Sequence, residues 1–244
     1  MGKITTILRY LPHFIAFAVA RLPFVLWKSR RSEQENWRLG YEKAKRHVET
    51  ILKVTDTRVV VTGKENIPDE PVLFLGNHQS IFDVLVLLSQ TKGPTCFVAK
   101  KEISKWPVFS GWIEDMGCLF IDREDIRASL LTIQEAARRI REEGMDGAIY
   151  PEGTRSKSSV MGEFMKGSFK VAQRAHCPIV PVMIEGSYRV LEEHGLSPHQ
   201  TVYLQFLPPI YPDRLTKEEE KVIHKTVKAS LQTALEAVKA GQNA

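Results

Sequence analysis

The sequence predicts an α/β fold, a mixed and largely parallel sheet flanked by helices, and three observations carry that prediction. Beyond Val54, short β-branched apolar runs alternate with longer stretches of helical periodicity, the pattern of strands covered by helices. Two capping boxes mark helix starts, Ser32 with Glu35 and Thr216 with Glu219, each a hydroxyl followed three residues later by a carboxylate. The chain has 244 residues, 43% hydrophobic and 26% charged, enough for one sizeable core plus an appendage. The division expected is a membrane-associated two-helix element at 1–54 and an α/β domain at 55–244.

The appendage comes first in chain order. From Ile4 to Trp27 the residues are mostly Leu, Ile, Phe, Val and Ala, but Arg9, His13 and Arg21 interrupt the run, and Pro12 and Pro23 disturb a straight helix. A bilayer span wants about 20 predominantly apolar residues, whereas about 10–14 suit an interfacial or re-entrant element. The segment therefore reads as seated in one leaflet. Lys3 and Arg9 before Leu11–Ala20 also resemble an export signal, and the first six residues fit the loose pattern for myristoylation. After a basic loop at Lys28–Arg31, Trp37, Tyr41, Ala44, Val48 and Ile51 recur at helical spacing beside Arg38, Lys43, Lys45 and Arg46. The pair reads as a monotopic hairpin with its cations at headgroup depth; the alternative is a helix pair packed on the body.

In the body, strands are expected at Arg58–Thr62, Val72–Leu75, Cys96–Ala99, Cys118–Ile121, Ala148–Tyr150, Ile179–Ile184 and Val202–Phe206. Helices are expected at Ile81–Leu88, at Ile126–Glu143 ending on Gly144, at Ser168–Ala175 and from Thr216 onward. The net charge of +5 favours an anionic partner; no nucleic-acid motif accompanies it. Cys96, Cys118 and Cys177 lack metal-ligand or redox spacing and sit among apolar residues, so they read as reduced core thiols.

Ligands of such sheets bind beyond the strand ends, and two polar turns stand out there. The first is Gly76-Asn77-His78-Gln79-Ser80-Ile81-Phe82-Asp83, a strand end, a turn and a helix start. Inside one helix, His78 and Asp83 would point well apart at about 3.6 residues per turn, so His78 must stand in the turn. Asp83 can then reach back to one ring nitrogen, leaving the other to accept a proton. Ser80-x-x-Asp83 is equally a helix cap, and one carboxylate has oxygens for both duties. The second turn is Tyr150-Pro151-Glu152-Gly153-Thr154-Arg155-Ser156, where Gly153 permits close approach, Thr154 and Ser156 offer hydroxyls and Arg155 a planar fork for phosphate. Glu152 and Arg155 could instead pair with each other. Arg123, Lys100 and Lys101 follow other strands, and Arg123, Arg155 and one of the lysines would together make a basic bowl around His78 if their strands are neighbours. Trp106, Pro107, Phe109 and Trp112 read as an acyl groove or as ordinary core. Ile179–Ile184 reads as a buried strand without chemistry of its own.

Together and in order, NHQSIFD, GCLFIDR, YPEGTRS and IVPVMI resemble the four motifs of the glycerolipid acyltransferase family, most nearly its bacterial 1-acyl-sn-glycerol-3-phosphate branch. The resemblance extends from about Asn77 to Ile184 and includes the AKKE and FMKGSFKVA segments. It implies that His78 deprotonates the acceptor hydroxyl and Asp83 orients it. It assigns Arg123, Glu152, Gly153 and Arg155 to the glycerol phosphate, Pro181 to acyl-donor binding or support of the site, and Lys100 or its neighbour Lys101 to the tetrahedral intermediate. The activity implied is acyl transfer from acyl-CoA or an acyl-carrier protein to lysophosphatidate, at an anionic membrane surface on the cytoplasmic face of a bacterial inner membrane. That chemistry calls for no metal or cofactor. Alternatives are a family member with another lysolipid acceptor, a His/Asp hydrolase, and a noncatalytic lipid-binding module; no GxSxG elbow supports a serine hydrolase.

Overall fold

A computed structural model describes Pro12, Ile15, Ala16, Val19, Arg21 and residues 30–242. Most of the expected hydrophobic first helix, with the export and myristoylation patterns, lies outside the described residues. In chain order the elements are α1 (Glu33–Val54), β1 (Arg58–Thr62), β2 (Leu73–Gly76), α2 (Phe82–Gln90), β3 (Thr95–Lys100), α3 (Pro107–Asp115), β4 (Leu119–Ile121) and α4 (Ile126–Glu143). They continue as β5 (Asp146–Ile149), α5 (Lys170–Ala175), β6 (Ile179–Glu185), α6 (Tyr188–Leu191), β7 (Thr201–Phe206) and α7 (Lys217–Gln242).

One sheet joins the strands in the order β1-β7-β6-β2-β5-β3-β4. Its neighbours run parallel except β6 with β7, so the sheet is mixed and mostly parallel. Every expected strand is present, its bounds shifted by no more than two residues. Because alternate strand residues face opposite sides, Phe74, Val180, Val182 and Ile184 join a core with α1, α2 and α3. Leu73, Leu75, Ile179 and Met183 join a second core beneath α4, α5 and α7. Pro181 sits mid-strand in β6 without an N–H. Ile179 donates to Ile210 on the β7 side, and Pro181 accepts there from Leu207 (2.9 Å); its nitrogen thus faces the Leu207–Ile210 stretch, which makes no ladder pairing at that point.

The capping boxes form. Ser32 Oγ accepts from Glu35 N (3.2 Å) while Glu35 accepts from Ser32 N (3.0 Å), and Thr216 and Glu219 exchange the same pair. Helix α1 buries Trp37, Tyr41, Ala44, Val48 and Leu52 against the body and leaves Arg38 and Arg46 exposed. Among the described residues, no helix is long and apolar enough to cross a membrane. The Trp106–Trp112 segment divides: α3 starts at Pro107, Trp112 is 3% exposed within the core, and Trp106 is 50% exposed. All three cysteines are free and buried, and burial pushes the Cys118 and Cys177 thiols to about 12.

Candidate active site

Three adjacent strands, β5, β2 and β6, end together, and the polar residues gather beyond them. Where β2 stops, the side chain of Asn77 takes over the ladder: its Nδ2 donates to Ile184 O and its Oδ1 accepts from Ile184 N, both at 2.8 Å. That bidentate grip on β6 frees the next residue, His78, to turn out of the sheet.

Asp83, in the first turn of α2, reaches back as the spacing requires. Its Oδ2 accepts from His78 Nδ1 (2.7 Å), Gln79 N (2.6 Å) and Ser80 N (2.8 Å), and its Oδ1 accepts the Ser187 hydroxyl. The carboxylate is wholly buried; four donors offset the loss of its water. The helix-cap and histidine-partner readings thus coexist in one side chain, and Ser80 Oγ also accepts from Phe82 N (3.2 Å). With Nδ1 engaged, His78 Nε2 has no hydrogen-bond partner among the described residues, and the side chain is 16% exposed.

The turn after β5 locks onto the same residue. Glu152 Oε1 accepts from His78 N (2.7 Å) and Oε2 from Gly162 N (2.8 Å). Ser156 N donates to His78 O (2.8 Å) and Lys157 N to Gln79 O (3.1 Å). Both main-chain sides of His78 are therefore fixed. Burial raises the Glu152 carboxyl above its usual range, against the two N–H bonds that lower it. Glu152 and Arg155 do not pair with each other; Glu152 organises the turn.

Two arginines face this edge. Gly153 has φ +75, and a Cβ there would lie 2.4 Å from Met165 Cε and 2.9 Å from Arg123 Nη1, so glycine is what lets Arg123 lie across the turn. Arg123 Nε is buried with no hydrogen-bond partner among the described residues, and burial pulls its guanidinium below the usual range. Arg155 Nη1 donates to Glu192 Oε1 (2.8 Å), which also accepts from Ile81 N (3.3 Å). Thr154 is exposed. The lysines stand apart: Lys100 is exposed and pairs with Glu102 (3.1 Å), and Lys101 pairs with Asp122 (2.6 Å).

The fold thus brings His78, Asp83, Glu152, Gly153 and Arg123 together with Arg155 beside them, and leaves Lys100 and Lys101 paired at the rim. Sequence reasoning missed Tyr150, whose ring lies against His78, Glu192, and the cluster of Gln79, Glu185 and Ser187. The available signal was Glu185-Gly186-Ser187, polar residues directly after a buried strand.

A family model described as acyltransferase matches residues 58–185. The chain is 32% identical over 197 residues to the probable 1-acyl-sn-glycerol-3-phosphate acyltransferase of Mycoplasma pneumoniae, covering 78% of this chain and 73% of that one. It is 32% identical over 177 residues to the 1-acyl-sn-glycerol-3-phosphate acyltransferase of Saccharomyces cerevisiae, covering 71% of this chain and 57% of the yeast protein. The crystal structure of the 1-acyl-sn-glycerophosphate acyltransferase from Thermotoga maritima superposes with a TM-score of 0.78 at 25% identity, covering 98% of this chain and 100% of that one.

Proposed function

The chain belongs to the acyltransferase family, and on that premise we propose that it moves a fatty acyl group from an acyl thioester to the free hydroxyl of 1-acyl-sn-glycerol 3-phosphate, giving phosphatidate. The observation that carries the reading is the 2.7 Å bond from His78 Nδ1 to Asp83, which leaves Nε2 as the accepting nitrogen, with Arg123 lying across the turn that Glu152 ties to His78.

In the reaction, Asp83 holds the imidazole with its proton on Nδ1, and Nε2 takes the proton of the acceptor hydroxyl as that oxygen attacks the thioester carbonyl. The new ester C–O bond forms, the C–S bond breaks, and His78 returns the proton to the departing thiolate. No acyl-enzyme intervenes. A base positioned this way typically contributes about 10² to 10⁴ in rate. Arg123 and the remaining N–H groups of Arg155 serve the acceptor phosphate, the former supported by its buried Nε, which has no partner among the described residues. The donor, acyl-CoA or an acyl-carrier protein, approaches from the same strand ends, past the paired Lys100 and Lys101 at the rim.

The same reading seats residues 1–54 monotopically on the cytoplasmic face of an anionic bacterial inner membrane, with 55–244 as the acyltransferase domain; α1 keeps its apolar face on the body, as the packed-helix alternative has it, and turns only its charged face to the headgroups. Exposed Arg38 and Arg46 on α1 support the electrostatic part. The test is purified protein with liposomes, lysophosphatidate and an acyl thioester: phosphatidate is expected, and a folded His78→Ala protein is expected to make none. Normal turnover by that variant would end the mechanism; fatty acid released without acceptor would make the protein a hydrolase. Co-sedimentation with anionic but not neutral vesicles tests the membrane seat.

A further inference from the structure

Behind the His78 and Asp83 pair, the chain leaves β6 through a turn that the reaction as described does not use. Gly186 has φ +92, and a Cβ there would lie 2.7 Å from Thr201 O, so only glycine turns the chain tightly enough at this point. The turn delivers Ser187, itself wholly buried, under Asp83. Gln79 clamps it: Nε2 donates to Glu185 Oε2 (2.8 Å) and Oε1 accepts from Gly186 N (3.0 Å). Arg189 Nη2 holds the other Glu185 oxygen at 3.0 Å. Ser187 Oγ has two acceptors in reach, the Asp83 carboxylate and, at 3.4 Å, Gln79 Oε1; its single proton goes to the shorter, charged contact.

We infer that Ser187 is a positioning residue for acyl transfer, its hydroxyl fixing the rotation of the Asp83 carboxylate so that Oδ2, not Oδ1, meets His78. Three donors converge on Oδ2 and, among the described residues, Ser187 alone holds Oδ1. Buried Glu185 and Gln79 make the support rigid, because neither can leave its partners without exposing an unpaired polar group to the core.

The inference rests on His78 acting as the base, so His78→Ala is run alongside Ser187→Ala and Ser187→Thr in the phosphatidate assay. Ser187→Ala is expected to lose about tenfold in kcat, the scale of one charge-assisted hydrogen bond, with the KM for lysophosphatidate unchanged. Its profile of kcat against pH departs from that of wild type, a readout that a merely structural loss would not move. Ser187→Thr keeps the hydroxyl and the wild-type profile. A folded Ser187→Ala protein with wild-type kcat and profile would overturn the inference, as would a loss of kcat matched by lower Tm with no change in the profile, or a threonine variant that behaves as alanine does. Full activity in His78→Ala would instead remove the base itself, a failure distinct from any result at Ser187.

Discussion

The His78 imidazole lies flat on the Tyr150 ring, with centroids 4.2 Å apart and planes 14° from parallel. Asp83 fixes the ring's direction in its own plane; Tyr150 forms the wall that stops it tilting. The contact is also why β5 must end beside β2, since Tyr150 directly follows that strand. Tyr150→Leu is therefore expected to lower kcat about tenfold through a less ordered base, leaving the KM for the acceptor nearly unchanged. The Tyr150 hydroxyl is buried without a hydrogen-bond partner among the described residues, and burial pushes its pKa well up. Tyr150→Phe should keep turnover and hold or raise Tm, because an unsatisfied buried hydroxyl costs about 1–3 kcal/mol. Steady-state kinetics and a thermal melt decide it; an inactive phenylalanine variant would give the hydroxyl a role denied here.

Glu192 binds the Arg155 guanidinium through one nitrogen and anchors the start of α2 through Ile81 N. A carboxylate beside a phosphate site weakens the anion unless it aims the arginine, and here it takes Nη1 while leaving the rest of the fork available. Glu192→Gln is expected to raise the KM for lysophosphatidate several-fold with a smaller effect on kcat, since the guanidinium loses its fixed direction more than its charge. A lower KM in that variant would show that Glu192 competes with the acceptor.

The strands and both capping boxes were legible because they follow from local rules, alternation of apolar residues and a hydroxyl three before a carboxylate. His78 and Asp83 were legible for the same reason, lying five residues apart on either side of a helix start. Ser187, Glu185 and Glu192 were not, because each reaches the site from more than a hundred residues along the chain, and adjacency of β6 to β2 is a property of the sheet order alone. Helix α3 was hidden among aromatic residues that suggested a groove or ordinary core, although Pro107 at its first position is an ordinary helix start. Lys100 was legible only as a cation at a strand end; its pairing with Glu102, two residues on, depends on side-chain direction that spacing does not give.

At the opposite end of β5, Asp146 accepts from Val72 N (3.1 Å), and burial raises its carboxyl from 3.8 to about 6 despite that bond and the nearby Lys92. Between those pH values the folded protein holds a proton that the unfolded chain has released, so stability falls as pH rises through the window. Asn keeps an acceptor for Val72 N and has no charge to bury. Asp146→Asn is expected to flatten the loss of Tm from about pH 4 to 6 and to melt higher than wild type at pH 7. Melting curves of the two proteins that run parallel over this range would contradict it.

Gly153 separates the two turns' demands most sharply, because its φ of +75 and its contact with Arg123 both exclude a side chain. Alanine in a left-handed conformation costs about 1–2 kcal/mol, and the added methyl must displace either Met165 Cε or the Arg123 guanidinium. The methionine end is flexible and yields cheaply, but Arg123 Nη1 at 2.9 Å from the new atom cannot stay where it is. Gly153→Ala should therefore lower Tm by about 2–8 °C and raise the KM for lysophosphatidate, while the His78 and Asp83 pair, held by separate bonds, keeps most of its kcat. A Gly153→Ala protein with unchanged KM but lowered Tm would remove Arg123 from phosphate binding and leave the glycine a purely conformational duty.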